Sequence, residues 1–414
     1  MSYRFVKVTT FYNEYLRQYY NRNPEIVIKT YSEQMEHLMS DGFGWADYFK
    51  IHLGEIGVDA HEIIANVEPL QKAWGREHGI AGTTEGDIVV AQLKDYSPDV
   101  VMFQDSSKFN GDWIKYLKEQ VPSIKLLIGY CASPYPKEDM ELFKLFDFML
   151  TSGGPSFMSS FIDNGFKIYQ VRHGFEKSLL PKIVVNDNYP EVDFIFIGSL
   201  ALGKGYHNKR KEILEGLLEA GLDLSIYSKI NKNNPVKETA KKAAYVVLQA
   251  LKQAGLERFA VDLPYINKAL KMTEFPHTLE CSARLKRKFS TPIFGIEMFK
   301  ALSRSKIGFN MHIDVSGERN GGNERLFETT GVGTCLLTDY KKNLNEIFEI
   351  DKEVVAYKSV GECIEKVKWL LAHPIERQAI AEAGQTRTLK DHTITQRVLL
   401  IDEIIRKNLS LWIN

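Results

Sequence analysis

Cysteine is scarce in this chain, with four in 414 residues. Cys131, Cys281, Cys335 and Cys363 stand far apart, and no C-x-x-C pair occurs. That spacing suggests neither a zinc knuckle nor a redox dithiol, and the default reading is buried thiols in a reducing compartment. Net charge is absent too, since 53 Lys and Arg balance 53 Asp and Glu. Without a global field, neither nucleic acid nor an anionic membrane is favoured as a partner, except through a local patch. The opening Met1-Ser-Tyr-Arg-Phe-Val-Lys-Val8 lacks the apolar stretch of a secretory signal. No apolar run approaches the ~18 residues of a membrane span. A cytoplasmic protein is the expectation.

What the chain does contain is ordinary globular material, 44% apolar and 26% charged. Its length suits two domains of roughly 150–200 residues. Short apolar runs at 5–11, 61–64, 99–103, 125–129, 147–151 and 167–171 read as strands. Helical patterns at 31–41, 46–56, 87–96, 112–120, 137–145 and 156–164 lie between them. Strands that are apolar along their whole length, alternating with helices, indicate a parallel sheet covered on both faces. The right-handed crossover rule makes it Rossmann-like.

The polar stretch 185–190 reads as a linker. Beyond it the alternation restarts, with strands at 192–197, 222–227, 306–311, 334–338 and 354–357. Helices are expected at 209–219, 323–330, 359–372, 375–387 and 393–409, with a helix-rich interruption over 235–271. The fold class is therefore α/β, with two Rossmann-like layers facing a cleft. The boundaries are 1–185, 191–390 and a final helical segment 391–414.

The densest local feature is Asn323-Glu-Arg-Leu-Phe-Glu-Thr-Thr-Gly-Val-Gly333, running into the strand Thr334-Cys-Leu-Leu-Thr-Asp339. Gly321 and Gly322 before it allow close approach of the backbone to a ligand. A helix starting at Asn323 would offer unbonded N–H groups to a phosphate. Arg325 suits a bidentate contact to a diphosphate, and Glu328, one turn on, suits ribose hydroxyls. Taken alone, Arg325 and Glu328 are also a helix-surface pair at i, i+3, worth only ~0.2–0.5 kcal/mol.

A second feature is Phe196-Ile-Gly-Ser-Leu200, with Lys204, His207 and Arg210 after it. Gly198 and Ser199 end a strand at the carboxyl edge of a sheet, where ligands bind in such folds. The three basic residues are candidates to meet a diphosphate. In the first half, Gln104-Asp-Ser-Ser107 follows a strand, which makes Asp105 a candidate general base or a loop cap. Arg172-His-Gly-Phe-Glu176 offers His173 as a second candidate base. Gly44 and Trp45, in the turn Gly42-Phe-Gly-Trp-Ala-Asp47, are candidates for the acceptor side. The basic run 280–288 could touch an anionic lipid surface weakly, although a solvated helix face explains it as well. His37, His52 and His61 lack metal-ligand spacing.

The Asn323–Asp339 stretch resembles the C-terminal domain of glycosyltransferase group 1, in particular the subgroup similar to the spore-maturation protein CgeB. The resemblance continues through Tyr357-Lys-Ser359, Ala372-His-Pro374, Ile380-Ala-Glu-Ala-Gly384 and His392-Thr-Ile-Thr-Gln-Arg397. It implies a GT-B fold whose last helix crosses back to the N-terminal domain. It implies a nucleotide-sugar donor held by the C-terminal domain, and an acceptor that is a glycan, a lipid-linked molecule or a protein. No metal ion or other cofactor is implied. Many retaining GT-B enzymes carry two glutamates separated by seven residues. Glu328 matches the second, but Asn320 stands where the first would be. Two rival readings remain: an epimerase-like enzyme acting on the nucleotide-sugar alone, and a binding protein with a degenerate site.

Overall fold

The apolar runs become strands, and every described strand pairing is parallel. The computed structural model describes residues 2–80, 84–133, 135, 138–183, 191–200, 205–229, 235–255, 281–313 and 320–410, without the side chains of 205–207 and 235–238. The expected linker at 185–190 lies outside these residues.

The first sheet contains β1 (Arg4–Thr9), β2 (Asp59–Ile64), β3 (Val100–Phe103), β4 (Leu126–Tyr130), β5 (Phe148–Thr151) and β6 (Ile168–Gln170), in the order β2-β1-β3-β4-β5-β6. Strands β3, β4 and β5 are buried along their whole length, as helices on both faces require. The second sheet contains β7 (Val192–Ile197), β8 (Ser225–Tyr227), β9 (Phe289–Ser290), β10 (Ser305–Asn310), β11 (Cys335–Asp339) and β12 (Val355–Tyr357), in the order β12-β11-β10-β7-β8-β9. The strand β9, two residues long, and the helices Asn13–Arg22, Glu68–Glu77 and Gly295–Ser303 add to the elements read from sequence.

By density of contacts the chain forms two compact units. One holds residues 1–193, 293–358 and 366–414, and the other 194–292 and 359–365, each within the described residues.

Within the first unit, one short segment joins three elements. The Phe175 N–H donates to the His392 carbonyl at 2.9 Å, and the Ile394 N–H donates to the Phe175 carbonyl at 3.0 Å. The Phe175 ring lies against the Gly331 backbone, where any Cβ would collide with it. Gly174 meets the Thr393 backbone in the same way. The last helix, Ile394–Leu409, starts from a capping box formed by Thr393 and Gln396. It ties to the first sheet through Tyr3 Oη, which donates to Asp402 Oδ1 at 2.7 Å. Lys167 Nζ adds a bond to Asn408 Oδ1 at 2.5 Å.

His392 sits at this junction. Its Nε2 lies 2.9 Å from the Ile347 carbonyl, so Nε2 carries the proton. Its Nδ1 then accepts from Arg397 Nη2 at 2.9 Å. Burial, then Arg397 and Arg387, push its pKa down to about 4, against the Ile347 bond and Asp391, which favour protonation. Below the ordinary value of 6.5 the unfolded chain takes up a proton that the folded chain refuses until about pH 4. Stability from this residue is therefore complete above pH 6.5 and lost as pH falls toward 4. Urea midpoints at pH 7 and pH 5 should differ, and His392→Gln should shrink the difference. An unchanged difference would remove His392 from the account.

Candidate functional site

The carboxyl edge of the first sheet gathers four loops. After β3, Asp105 Oδ2 accepts from Thr9 Oγ1 at 3.1 Å, Thr10 N at 3.1 Å and Thr10 Oγ1 at 3.0 Å. The carboxylate thus braces the loop that follows β1. The turn 42–46 uses left-handed backbone at Gly42 (φ 63°), Gly44 (φ 62°) and Ala46 (φ 34°). Glycine meets that need at two positions. At the third, the buried Lys7 of β1 donates from Nζ to the Ala46 carbonyl at 2.9 Å. Trp45, only 7% exposed, packs between Phe49 and Tyr130, with ring centroids at 5.4 and 5.0 Å, and its ring lies 6.0 Å from that of His173.

Facing this edge, within the same unit, is the start of the helix Glu324–Gly331. Asn323 precedes the helix without capping it by side chain. Its side chain exchanges hydrogen bonds with Asn310 instead, at 2.8 and 3.2 Å. The loop before it is held by the ends of β10 and β11. Asn343 Oδ1 accepts from Gly321 N at 2.6 Å, and Asn343 Nδ2 donates to the Gly321 carbonyl at 2.8 Å. The Gly322 N–H donates to His312 Nε2 at 3.2 Å, so the His312 proton sits on Nδ1, facing Asp339 Oδ1 at 2.8 Å. Burial alone would raise Asp339, but the hydrogen bonds it accepts from His312, with Lys341 beside it, hold it down at about 2. The helix N-terminus is thus fixed by a hydrogen-bonded frame, as a binding site on a strand edge requires.

His173 and Glu324 meet between these two walls. His173 Nδ1 lies 3.3 Å from Glu324 Oε1, and Nε2 lies 3.4 Å from Tyr130 Oη. The His173 carbonyl accepts from Arg397 Nε at 3.0 Å, which locks the segment from behind. Burial, opposed by Glu328 and aided by Arg397, lowers His173 to about 4, so the ring is neutral at pH 7. Glu324 is raised, mainly by burial, with Arg325 and a hydrogen bond from Trp45 working against the rise and Asp105 adding to it. Its side chain is still 43% exposed, which tempers that burial and leaves the carboxyl reachable from solvent. Glu328 is raised by burial and by Glu324, against Arg325 and His173. Arg325 Nη1 pairs with Glu328 Oε2 at 2.9 Å and also contacts Met298 Sδ at 3.1 Å.

Of the residues singled out from sequence, the first unit brings Trp45, Asp105, His173, Arg325 and Glu328 to one place, with Gly44 and Asn323 at its margins. Three of them take the plainer of the two roles that the sequence allows. Asp105 is a loop brace, and Arg325 and Glu328 bind each other. In the second unit, Arg210 Nη1 donates to the Ser199 carbonyl at 2.8 Å, and its guanidinium lies 5.8 Å from the Phe196 ring centroid. Gly198 N donates to the Tyr227 carbonyl at 3.3 Å. Lys204 and the His207 side chain lie outside the described residues. In the basic run, Lys288 pairs with Asp223, and Ser282 caps the helix Ala283–Lys288.

Glu324 is the main addition that sequence reasoning missed. The usable signal was its place as the first residue of a helix that opens at a strand edge. Among the described residues, no three His, Cys, Asp or Glu side chains are grouped to hold a metal ion, and no helix is long and apolar enough to cross a membrane.

Residues 233–403 match a family model described as glycosyl transferase-like. None of the curated proteins matches the chain in sequence. Among solved structures, the chain is similar to a glycosyltransferase from Rickettsia africae ESF-5, at 9% identity and a TM-score of 0.54, over 99% of each chain. It is also similar to the sucrose-phosphate synthase of Thermosynechococcus elongatus, at 7% identity and a TM-score of 0.50, over 99% of this chain and 100% of that one. At such identities the likeness is one of fold, and the fold is GT-B.

Proposed function

We propose that this protein is a glycosyltransferase that moves a sugar from a nucleotide-sugar to an acceptor hydroxyl. The observation that carries the reading is the meeting of His173 and Glu324 at a helix start, on a GT-B fold whose residues 233–403 match a glycosyl transferase-like model. The donor diphosphate lies at the N-terminus of the helix Glu324–Gly331, where backbone N–H groups and the helix dipole favour negative charge. Arg325 adds a cation there, and Glu328 accepts from ribose hydroxyls.

In the reaction, the bond from the anomeric carbon to the diphosphate oxygen breaks, and the nucleoside diphosphate leaves with the electron pair. The acceptor oxygen bonds to the anomeric carbon, and its proton passes to neutral His173. The resulting imidazolium faces the Glu324 carboxylate, which stabilises it. Amides and Arg325 aimed at the leaving diphosphate stabilise the charge that develops on it. No metal ion takes part in this scheme.

Mass spectrometry of the products formed from nucleotide-sugar and acceptor tests the reading. A glycosylated acceptor supports transfer. An isomerised nucleotide-sugar, formed without an acceptor, would favour the epimerase-like alternative.

Glu328 provides a sharper probe. Because it pairs with Arg325, alanine would strand a partly buried guanidinium, and glutamine is the cleaner substitution. Glu328→Gln should weaken nucleotide affinity about tenfold or more, the scale of a hydrogen bond to a charged group. Calorimetry reads this directly, and unchanged affinity would refute the ribose role.

A further inference from the structure

Beside the carboxylates lies an aromatic group that the proposed chemistry does not use. Phe43, held between the left-handed Gly42 and Gly44, is ringed by aromatics. Tyr15 stacks on it at 3.9 Å and 15°, while Phe11, Tyr12 and Phe294 meet it edge-on at 5.1, 5.6 and 5.6 Å. Four of these rings are mutual packing. Tyr12, the residue just before the helix Asn13–Arg22, is different, because 66% of its surface is exposed. It follows the Thr9–Thr10 loop braced by Asp105. The turn that holds Phe43 also carries Trp45, whose ring lies 6.0 Å from that of His173, the neighbour of Glu324.

We infer that Tyr12, backed by Phe43, is a stacking platform for the acceptor, and that the acceptor is an uncharged saccharide. This rests on the glycosyltransferase reading above. The face of an aromatic ring is electron-rich and attracts polarised C–H groups, which one face of a pyranose supplies. The neighbouring Asp105, Glu324 and Glu328 are acceptors for hydroxyl protons. Burial around the Tyr12 hydroxyl is the main cause that pushes its phenol up to about 12, with Glu324, Asp105 and Glu328 adding to the rise. A phosphate or carboxylate on the acceptor would meet like charge beside Asp105 and Glu324, whereas the donor diphosphate lies over the helix amides and Arg325. The site also offers a purely aliphatic chain no use for its hydroxyl acceptors. A neutral ring with one C–H face and several hydroxyls meets both halves of the site.

Saturation-transfer NMR on the full chain tests this, with methyl glucoside, galactoside and mannoside as neutral probes. Glucuronate, glucose 6-phosphate and hexanol serve as contrasts. At least one neutral glycoside should receive saturation at its ring C–H protons. Tyr12→Ala should weaken that binding about tenfold at most, the scale of one ring contact, and Tyr12→Phe should retain it. No signal from any neutral glycoside, an equal signal in Tyr12→Ala, or a preference for the anions or hexanol would overturn the inference. The melting temperature of Tyr12→Ala, with and without nucleotide, separates the two levels. If nucleotides bind but glycosides ignore Tyr12, the platform fails alone. If no nucleotide binds while glycosides still depend on Tyr12, the glycosyltransferase reading fails and the saccharide site stands.

Discussion

His173→Ala should lower kcat by about 10²–10⁴, the usual contribution of a positioned acid or base, with donor KM little changed. The His173 backbone would stay in place, because Arg397 binds its carbonyl and the adjoining Phe175 is paired with His392 and Ile394. A loss of activity therefore reads the imidazole and not the segment. The pH profile adds a second readout. Burial holds His173 neutral down to about pH 4, so the acidic limb of kcat/KM should fall well below the ordinary histidine value. Glu324→Gln removes the carboxylate that faces the imidazolium, and should lower kcat and move that limb. Stopped assays over pH 4–8 on the three proteins check this. Full activity in His173→Ala would move the base elsewhere, with Asp105 the next candidate.

The largest expected effect on stability comes from Lys7. It sits in the middle of β1, fully buried, with Nζ 3.2 Å from Glu62 Oε2 on the neighbouring β2. Glu62 Oε1 accepts from Lys50 N at 3.2 Å. Burial drives both groups toward neutrality, lowering Lys7 and pushing Glu62 up to about 8, each partly restrained by the other. Lys7→Met should cost about 3–5 kcal/mol, because it leaves a carboxylate buried without its partner. The raised Glu62 fixes the sign of the pH dependence. The folded variant must keep that group protonated, so its deficit grows as pH rises and shrinks toward pH 5. Lys7→Met with Glu62→Leu should recover most of the loss. The single variant should also loosen the Trp45 turn, because it loses the bond from Nζ to the Ala46 carbonyl. Urea unfolding at pH 5 and pH 8 measures all of this, and a loss below about 1 kcal/mol would be the value of an exposed pair.

Lys7 also marks where sequence reading stops. The apolar runs located eleven strands to within a few residues, since continuous burial leaves a local signature. The strand β9 escaped because two residues carry no period. A lysine inside an apolar run reads as a solvent-facing position, and only its pairing with Glu62 across two parallel strands explains its burial. The site was legible in a similar way. Its glycines, Arg325, Glu328 and His173 were marked by position after strands. Their partners were not, because contacts such as His173 with Glu324 join residues far apart in the chain. Trp45 was read as an acceptor-side aromatic and proves largely internal, while the open ring is Tyr12, three residues past the end of β1. For Arg325 and Glu328 the sequence offers both ligand contacts and a helix pair at i, i+3, and in the structure the two pair at 2.9 Å.

The most direct test is the melting temperature of the full chain with UDP, GDP, dTDP, CMP and their sugars. One nucleotide and its sugar should raise the melting temperature, by about 2.7 kcal/mol of stabilisation at a hundredfold excess over Kd, and the rise should shrink in Glu328→Gln. If no nucleotide or nucleotide-sugar shifts it, or if the shift is the same in Glu328→Gln, the helix Glu324–Gly331 is not the donor site.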